Sequence, residues 1–175
     1  MKAGMLFRVL LFVLALLHQA WAADAIDEEF EVKQWREMEV GLPAAPQLVN
    51  LLPFYVSATS RNQFFIDAST LTVGGDGVVR YVLVVTTPGG ARNVTFEGMR
   101  CETREHKIYA VGHADGGWVK ARSENWRRIQ EASANGYHAT LFLEYFCAGG
   151  VIASGSAEVV RALKRGGQSN VFGGQ

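Results

Sequence analysis

Cysteine is almost absent from this sequence: Cys101 and Cys147 are the two thiols in 175 residues. No C-x-x-C pair exists, which argues against a catalytic thiol. Proline is sparse as well, and three of the four (Pro43, Pro46, Pro53) fall within one short stretch. Charge excess is missing, because 17 Lys and Arg balance 17 Asp and Glu. A protein that grips nucleic acid by neutralising phosphates needs a basic surplus, so that class is excluded. No basic amphipathic stretch favours a membrane surface either. Past residue 22, no apolar run approaches the roughly 20 residues of a spanning helix.

What is present begins with an export signal. Lys2 and Arg8 precede an apolar stretch at residues 9–17, and Ala20-Trp21-Ala22 offers small residues where a signal peptidase cleaves. Cleavage after Ala22 leaves a mature chain of 153 residues outside the cytoplasm, a size suited to one domain. In an oxidising compartment the even cysteine pair reads as one disulfide, Cys101–Cys147. Closing a loop of about 46 residues is worth about 4 kcal/mol in the chain-entropy estimate. The rival reading is a reactive thiol, with Cys101 near His106 or Cys147 near His138. Exported thiols tend to oxidise, which favours the disulfide.

Residues 23–53 read as an acidic N-terminal arm and Pro-rich connector, 54–165 as a single globular domain, and 166–175 as a flexible tail. The arm carries seven carboxylates (Asp24, Asp27, Glu28, Glu29, Glu31, Glu37, Glu39) against Lys33 and Arg36. A solvated, partly helical segment is expected there. Strands are expected over residues 54–56, 64–67, 78–87, 93–103 and 107–112, the third being central because it is apolar on both faces except at Arg80. A helix capped by Ser123 or Asn125 is expected through Trp126, Arg127, Arg128, Ile129 and Ala132, stopping at Asn135-Gly136. Residues 137–147 suit a helix or a buried strand, with helix favoured. Residues 156–164 suit a short helix. The fold class is therefore α+β: an antiparallel β-meander with C-terminal helices and one disulfide.

Centring the Thr87-Pro88-Gly89-Gly90 reversal between Pro88 and Gly89 sets Arg80 opposite Glu97 and Tyr81 opposite Phe96. An Arg80–Glu97 ion pair would then let the central strand carry its charge; the functional alternative is an anion-binding Arg80 in a cleft. Gly98 marks a bulge or a close approach.

Chemical signatures are thin. His106, His113 and His138 are scattered, with no second His on the same predicted helical turn, so no metal cluster is expected. Asp76 and Asp115 precede glycine and serve turns. Ser154 and Ser156 lack the glycine that a nucleophile elbow places two positions earlier. Gly74, Gly75 and Gly77 precede a strand, not the helix N-terminus a phosphate loop needs. The densest polar group is His113, Asp115, Trp118, Lys120 and Arg122 around Gly116-Gly117. His113 beside a carboxylate has the parts of a general base. Asn93-Val94-Thr95 forms a glycosylation sequon within a predicted strand.

Several strings together resemble one family. Trp35 with Leu42-Pro43, Phe64-Phe65-Ile66-Asp67, Gly77-Val78-Val79-Arg80-Tyr81, Glu97-Gly98-Met99-Arg100-Cys101-Glu102-Thr103 and Lys107-Ile108-Tyr109-Ala110 are similar to the CNP-like exported proteobacterial proteins. Trp118, Trp126, His138 and Tyr145-Phe146-Cys147 extend the resemblance over roughly residues 30–165. It implies a Gram-negative periplasmic setting and a small single domain; it implies no reaction, cofactor or catalytic set. The resulting expectation is a non-catalytic binding or envelope-interaction domain, with Arg80, Glu97, His113, Asp115 and Trp118 as candidate ligand contacts. Two other classes compete with it: a cofactor-free hydrolase using His113 and Asp115, and a subunit of an envelope assembly docked through the N-terminal arm.

Overall fold

The computed structural model describes residues 34–130 and 136–167. The expected export signal, residues 23–33 of the expected arm, residues 131–135 and the tail from 168 lie outside the described residues. Among the described residues, eight antiparallel strands form one sheet: β1 (Leu51–Phe54), β2 (Gln63–Asp67), β3 (Thr72–Val73), β4 (Val78–Thr86), β5 (Arg92–Arg100), β6 (Glu105–Gly112), β7 (Trp118–Lys120) and β8 (Arg127–Arg128). The main path runs β1-β2-β4-β5-β6-β7, with β3 also pairing with β4 and β8 with β6. A helical segment, α1 (Tyr137–Thr140), continues as a π-helical turn over Leu141–Phe146, and α2 (Ser156–Arg165) follows. The α+β meander with C-terminal helices and one disulfide is what forms.

β4 is central because its side chains are buried on both faces from Val78 to Val84. One face carries Val79, Tyr81, Leu83 and Met99 against Leu141, Phe142, Tyr145 and Phe146 of the helical segment and Val159, Ala162 and Leu163 of α2. The other face carries Val82, Val84, Phe96 and Ala110, with Val40, Phe65, Tyr109 and Trp118 packed on them. Residues of the expected acidic arm thus help cover the sheet: the main-chain N–H of Met38 donates to Asp76 (2.9 Å), and Pro43 O accepts the Trp118 indole N–H (2.8 Å). Both faces need cover, since an apolar central strand left wet on one side forfeits its burial.

The register differs from expectation by one residue, and the turn explains it. Thr87 N–H bonds to Ala91 O, so the loop proper is Pro88-Gly89-Gly90, with Gly90 at φ +83°. Three-residue hairpins place a glycine in the left-handed region, and an odd loop shifts the pairing by one. Arg80 consequently lies opposite Gly98, and Tyr81 opposite Glu97. A single-residue slip moves side chains to opposite faces, so the expected Arg80–Glu97 pair does not exist. Gly98 does meet a close approach: a Cβ there would sit 2.5 Å from the Tyr109 hydroxyl. The irregularity on the neighbouring strand lies beside it, where Glu97 pairs with Ile108 and Phe96 with Ala110, leaving Tyr109 as the extra residue.

Two other expectations are corrected. The first strand covers Leu51–Phe54 rather than 54–56, and Pro53 fits because β1 is an edge. The expected helix from Ser123 or Asn125 is replaced by extended chain: Ser123 Oγ accepts the Asn125 N–H, and Arg127 and Arg128 pair with His106 and Glu105. Trp126 and Ile129 are drawn to different partners, and that tertiary demand overrides a weak helical pattern. Ala132 and Asn135 lie outside the described residues. By contrast, residues 137–146 are helical, so the favoured reading of 137–147 holds up to Cys147. Cys147 N–H bonds to Phe142 O five residues back, and Cys147 then joins Cys101 with Cα atoms 5.5 Å apart. The bond ties the β5–β6 turn to the end of the helical segment.

Candidate functional site

Three polar assemblies stand out, and each is positioned by the sheet. The first is a clasp on the face away from the helices. Arg80 is buried, and its guanidinium donates from Nη1 (3.0 Å) and Nη2 to both oxygens of Asp76. Arg80 Nη2 also lies 3.4 Å from Met38 O. Burial pushes the Asp76 carboxyl up, but hydrogen bonds from Arg80 and the Met38 N–H outweigh it and hold it below its usual range. Nearby, Glu37 accepts from the Tyr109 hydroxyl (2.7 Å), Lys107 Nζ (3.0 Å) and the Trp126 indole N–H (3.2 Å). Burial raises the Glu37 carboxyl and these donors lower it, with the net effect downward. Glu37 belongs to the stretch expected to be solvated, yet it is an internal anchor. A single acid ahead of the Pro-rich connector gave no periodic signal of that role.

Acid therefore removes stability. In the unfolded chain, Glu37 and Asp76 titrate near 4, whereas in the fold both hold their charge to lower pH. As pH falls below about 5, the unfolded chain binds protons that the folded chain does not, so stability falls with pH until the folded carboxyls protonate. Above pH 6 their contribution is constant. The urea midpoint should decline between pH 5 and pH 3, and Glu37→Gln should flatten part of that decline. A midpoint unchanged down to pH 3 would contradict the assignment.

The second assembly is on the opposite face. Glu97 is fully buried; its Oε1 accepts from the Thr95 hydroxyl (2.6 Å), and its Oε2 accepts from the Tyr81 hydroxyl (3.0 Å) and lies 2.7 Å from His138 Nε2. Burial raises the Glu97 carboxyl, but His138 and Thr95 hold it below the usual range. The His106 ring stacks on His138 with centroids 3.7 Å apart. Burial, reinforced by the neighbouring His138, lowers the His106 imidazole to about 4. One ligand-type atom from each of Glu97, His106 and His138 falls within 4.8 Å of the others. The expectation of scattered histidines fails for this pair. His106 opens β6 and His138 sits in the first turn of α1, so only the tertiary fold brings them together.

The third assembly is a surface cleft of about 400 Å³ between the β4–β5 turn, the β6–β7 turn and residues 45–46. Arg92, Val94, His113, Gly116 and Trp118 contribute to its walls, with Pro46 from the arm. Trp118 is half-buried and meets Phe96 edge-on at 6.3 Å. Asp115 accepts the Gly117 N–H (2.9 Å), an Asx turn that shapes the β6–β7 connection, and Gly116 takes φ +86° there. Of the five candidate contacts from sequence, the cleft gathers His113 and Trp118; Arg80 and Glu97 lie in the interior on opposite faces, and Asp115 serves the turn. Arg92 was missed, although the expected meander already sets the start of β5 beside the end of β6; the signal was the strand pairing, not a local motif. Ser154 also has an internal role, donating its hydroxyl (2.6 Å) and main-chain N–H (2.8 Å) to Glu158.

The CNP1-like family model matches residues 30–164, most of the chain. The chain belongs to the CNP1-like family. A curated relative, "Cryptic neisserial protein 1" from Neisseria gonorrhoeae (strain ATCC 700825 / FA 1090), is 24% identical over 157 residues, covering 81% of this chain and 77% of the relative. No solved structure matches. The span matched by the CNP1-like family takes in all three assemblies, from Glu37 of the clasp to His138 of the buried cluster. Among the described residues of this CNP1-like chain, no helix is long and apolar enough to cross a membrane.

Proposed function

We propose that this CNP1-like chain is an exported, non-catalytic binding domain of the periplasm whose recognition site is the cleft beside Trp118. The observation that carries this reading is the cleft itself: an indole wall with the cationic or proton-accepting groups of Arg92 and His113 at one concave surface. Such a wall takes a flat or sugar-like face, and the flanking groups suit a carboxylate or phosphate on the same ligand. The hydrolase reading has less support, because Asp115 is committed to the Gly117 N–H and His113 and Asp115 are both exposed. Export is supported by the sequence of residues 1–22 together with the Cys101–Cys147 disulfide.

The test is an NMR titration of isotope-labelled mature protein with muramyl dipeptide and a panel of anionic metabolites. At least one member should shift the Trp118 indole signal together with Gly90, Gly112 and His113, and Trp118→Ala should abolish those shifts. A panel that leaves these signals unmoved contradicts the reading. So does a hydrolytic turnover that His113→Ala removes without changing the melting temperature.

A further inference from the structure

We propose that Glu97, His106 and His138 form a binding site for one divalent transition-metal ion of the zinc type. The donor set is two imidazoles and one carboxylate, which suits Zn²⁺, Ni²⁺ or Cu²⁺ better than the all-oxygen surroundings Ca²⁺ and Mg²⁺ prefer. Their ligand-type atoms already converge within 4.8 Å. Zinc bonds of about 2.0–2.2 Å to nitrogen and oxygen require donors roughly 3.3 Å apart, so modest side-chain shifts around an ion suffice.

Two further observations distinguish this cluster from an ordinary buried ion pair. The first is the way Glu97 is held. The Thr95 hydroxyl fixes one carboxylate oxygen and the Tyr81 hydroxyl the other, which is the outer-shell support that orients a metal-ligating carboxylate. The second is an orphan: His106 Nδ1 is buried and has no hydrogen-bond partner among the described residues. An unsatisfied buried nitrogen destabilises the fold, and coordination through Nδ1 would satisfy it. The three ligands come from β5, β6 and α1, and the Cys101–Cys147 bond holds the same elements together. His138 Nε2 now shares a proton with Glu97 Oε2, and the ion takes the place of that proton. The displaced proton moves to Nδ1 where that nitrogen is bare and otherwise leaves to solvent, so in either case His138 ligates as a neutral imidazole with its proton on Nδ1.

The experiment uses tag-free, disulfide-intact mature protein, stripped with EDTA and freed of chelator, titrated with zinc chloride by calorimetry. One equivalent should bind, and His106→Gln should weaken it by about 100-fold, whereas Glu124→Gln, an exposed carboxylate outside both sites, should leave it unchanged. Imidazole nitrogen signals of the wild-type protein supply a readout that needs no variant to fold: those of His106 and His138 should move with zinc. Absence of stoichiometric binding would overturn the proposal. So would zinc that moves His113 while His106 and His138 stay unmoved.

Discussion

Replacing Cys101 and Cys147 together by alanine should cost the domain about 4 kcal/mol of stability. The bond closes a sequence separation of 46 residues, and a loop of that length confines the unfolded chain by this amount in the entropy estimate. The closed loop contains β6, β7, β8 and α1, so without the bond these elements must find the sheet unaided. Both cysteines are buried, which makes alanine a mild packing change beside the lost tether. A melting temperature lower by about 10–15 °C is expected for a domain of this size. Reductant should lower the wild-type value comparably and leave the double variant unchanged. A loss under about 1 kcal/mol, or a melting temperature indifferent to reductant, would contradict the role assigned to this bond.

Asp76→Ala is expected to be nearly as severe, at about 3–5 kcal/mol. The side chains of Arg80 and Asp76 are 4% and 2% exposed, so removing the acid strands a guanidinium in a dry interior. The Met38 N–H loses its acceptor in the same step, which loosens residues 37–43 from the sheet face they cover. Pairing Asp76→Ala with Arg80→Met removes the stranded charge and should recover more than half the loss, because an apolar replacement of both partners is far cheaper than breaking one. Urea denaturation of the three proteins decides the matter. If the double variant is less stable than the single one, the clasp is not an ion pair in this sense.

The meander was legible in the sequence because β4 and β5 are long and carry their own turn signals at Gly74-Gly75-Asp76-Gly77 and Pro88-Gly89-Gly90. The disulfide was legible from cysteine parity together with the expected export. What escaped was anything decided by one residue of register or by contacts across the fold. Counting the reversal as an even turn put Arg80 against Glu97; the left-handed Gly90 makes it odd, and two charges expected to neutralise each other instead found Asp76 and His138. His106 and His138 are 32 residues apart with no shared periodicity, so their stacking follows from the position of α1 over the sheet. Arg127 and Arg128 illustrate the same limit, since a two-residue strand leaves no periodic trace. Trp118 and His113 line the cleft, and Arg92 joins them because the antiparallel pairing of β5 with β6 sets the start of β5 beside the β6–β7 turn, not through any local motif.

On the reading proposed above, the chain leaves the cytoplasm and closes its Cys101–Cys147 bond outside it. Intact-mass measurement on protein released from the periplasm of a Gram-negative host tests this in one step. The expected species begins at Ala23 and weighs about 2 Da less than its fully reduced form. A cytosolic species that retains Met1 and carries two free thiols would contradict it.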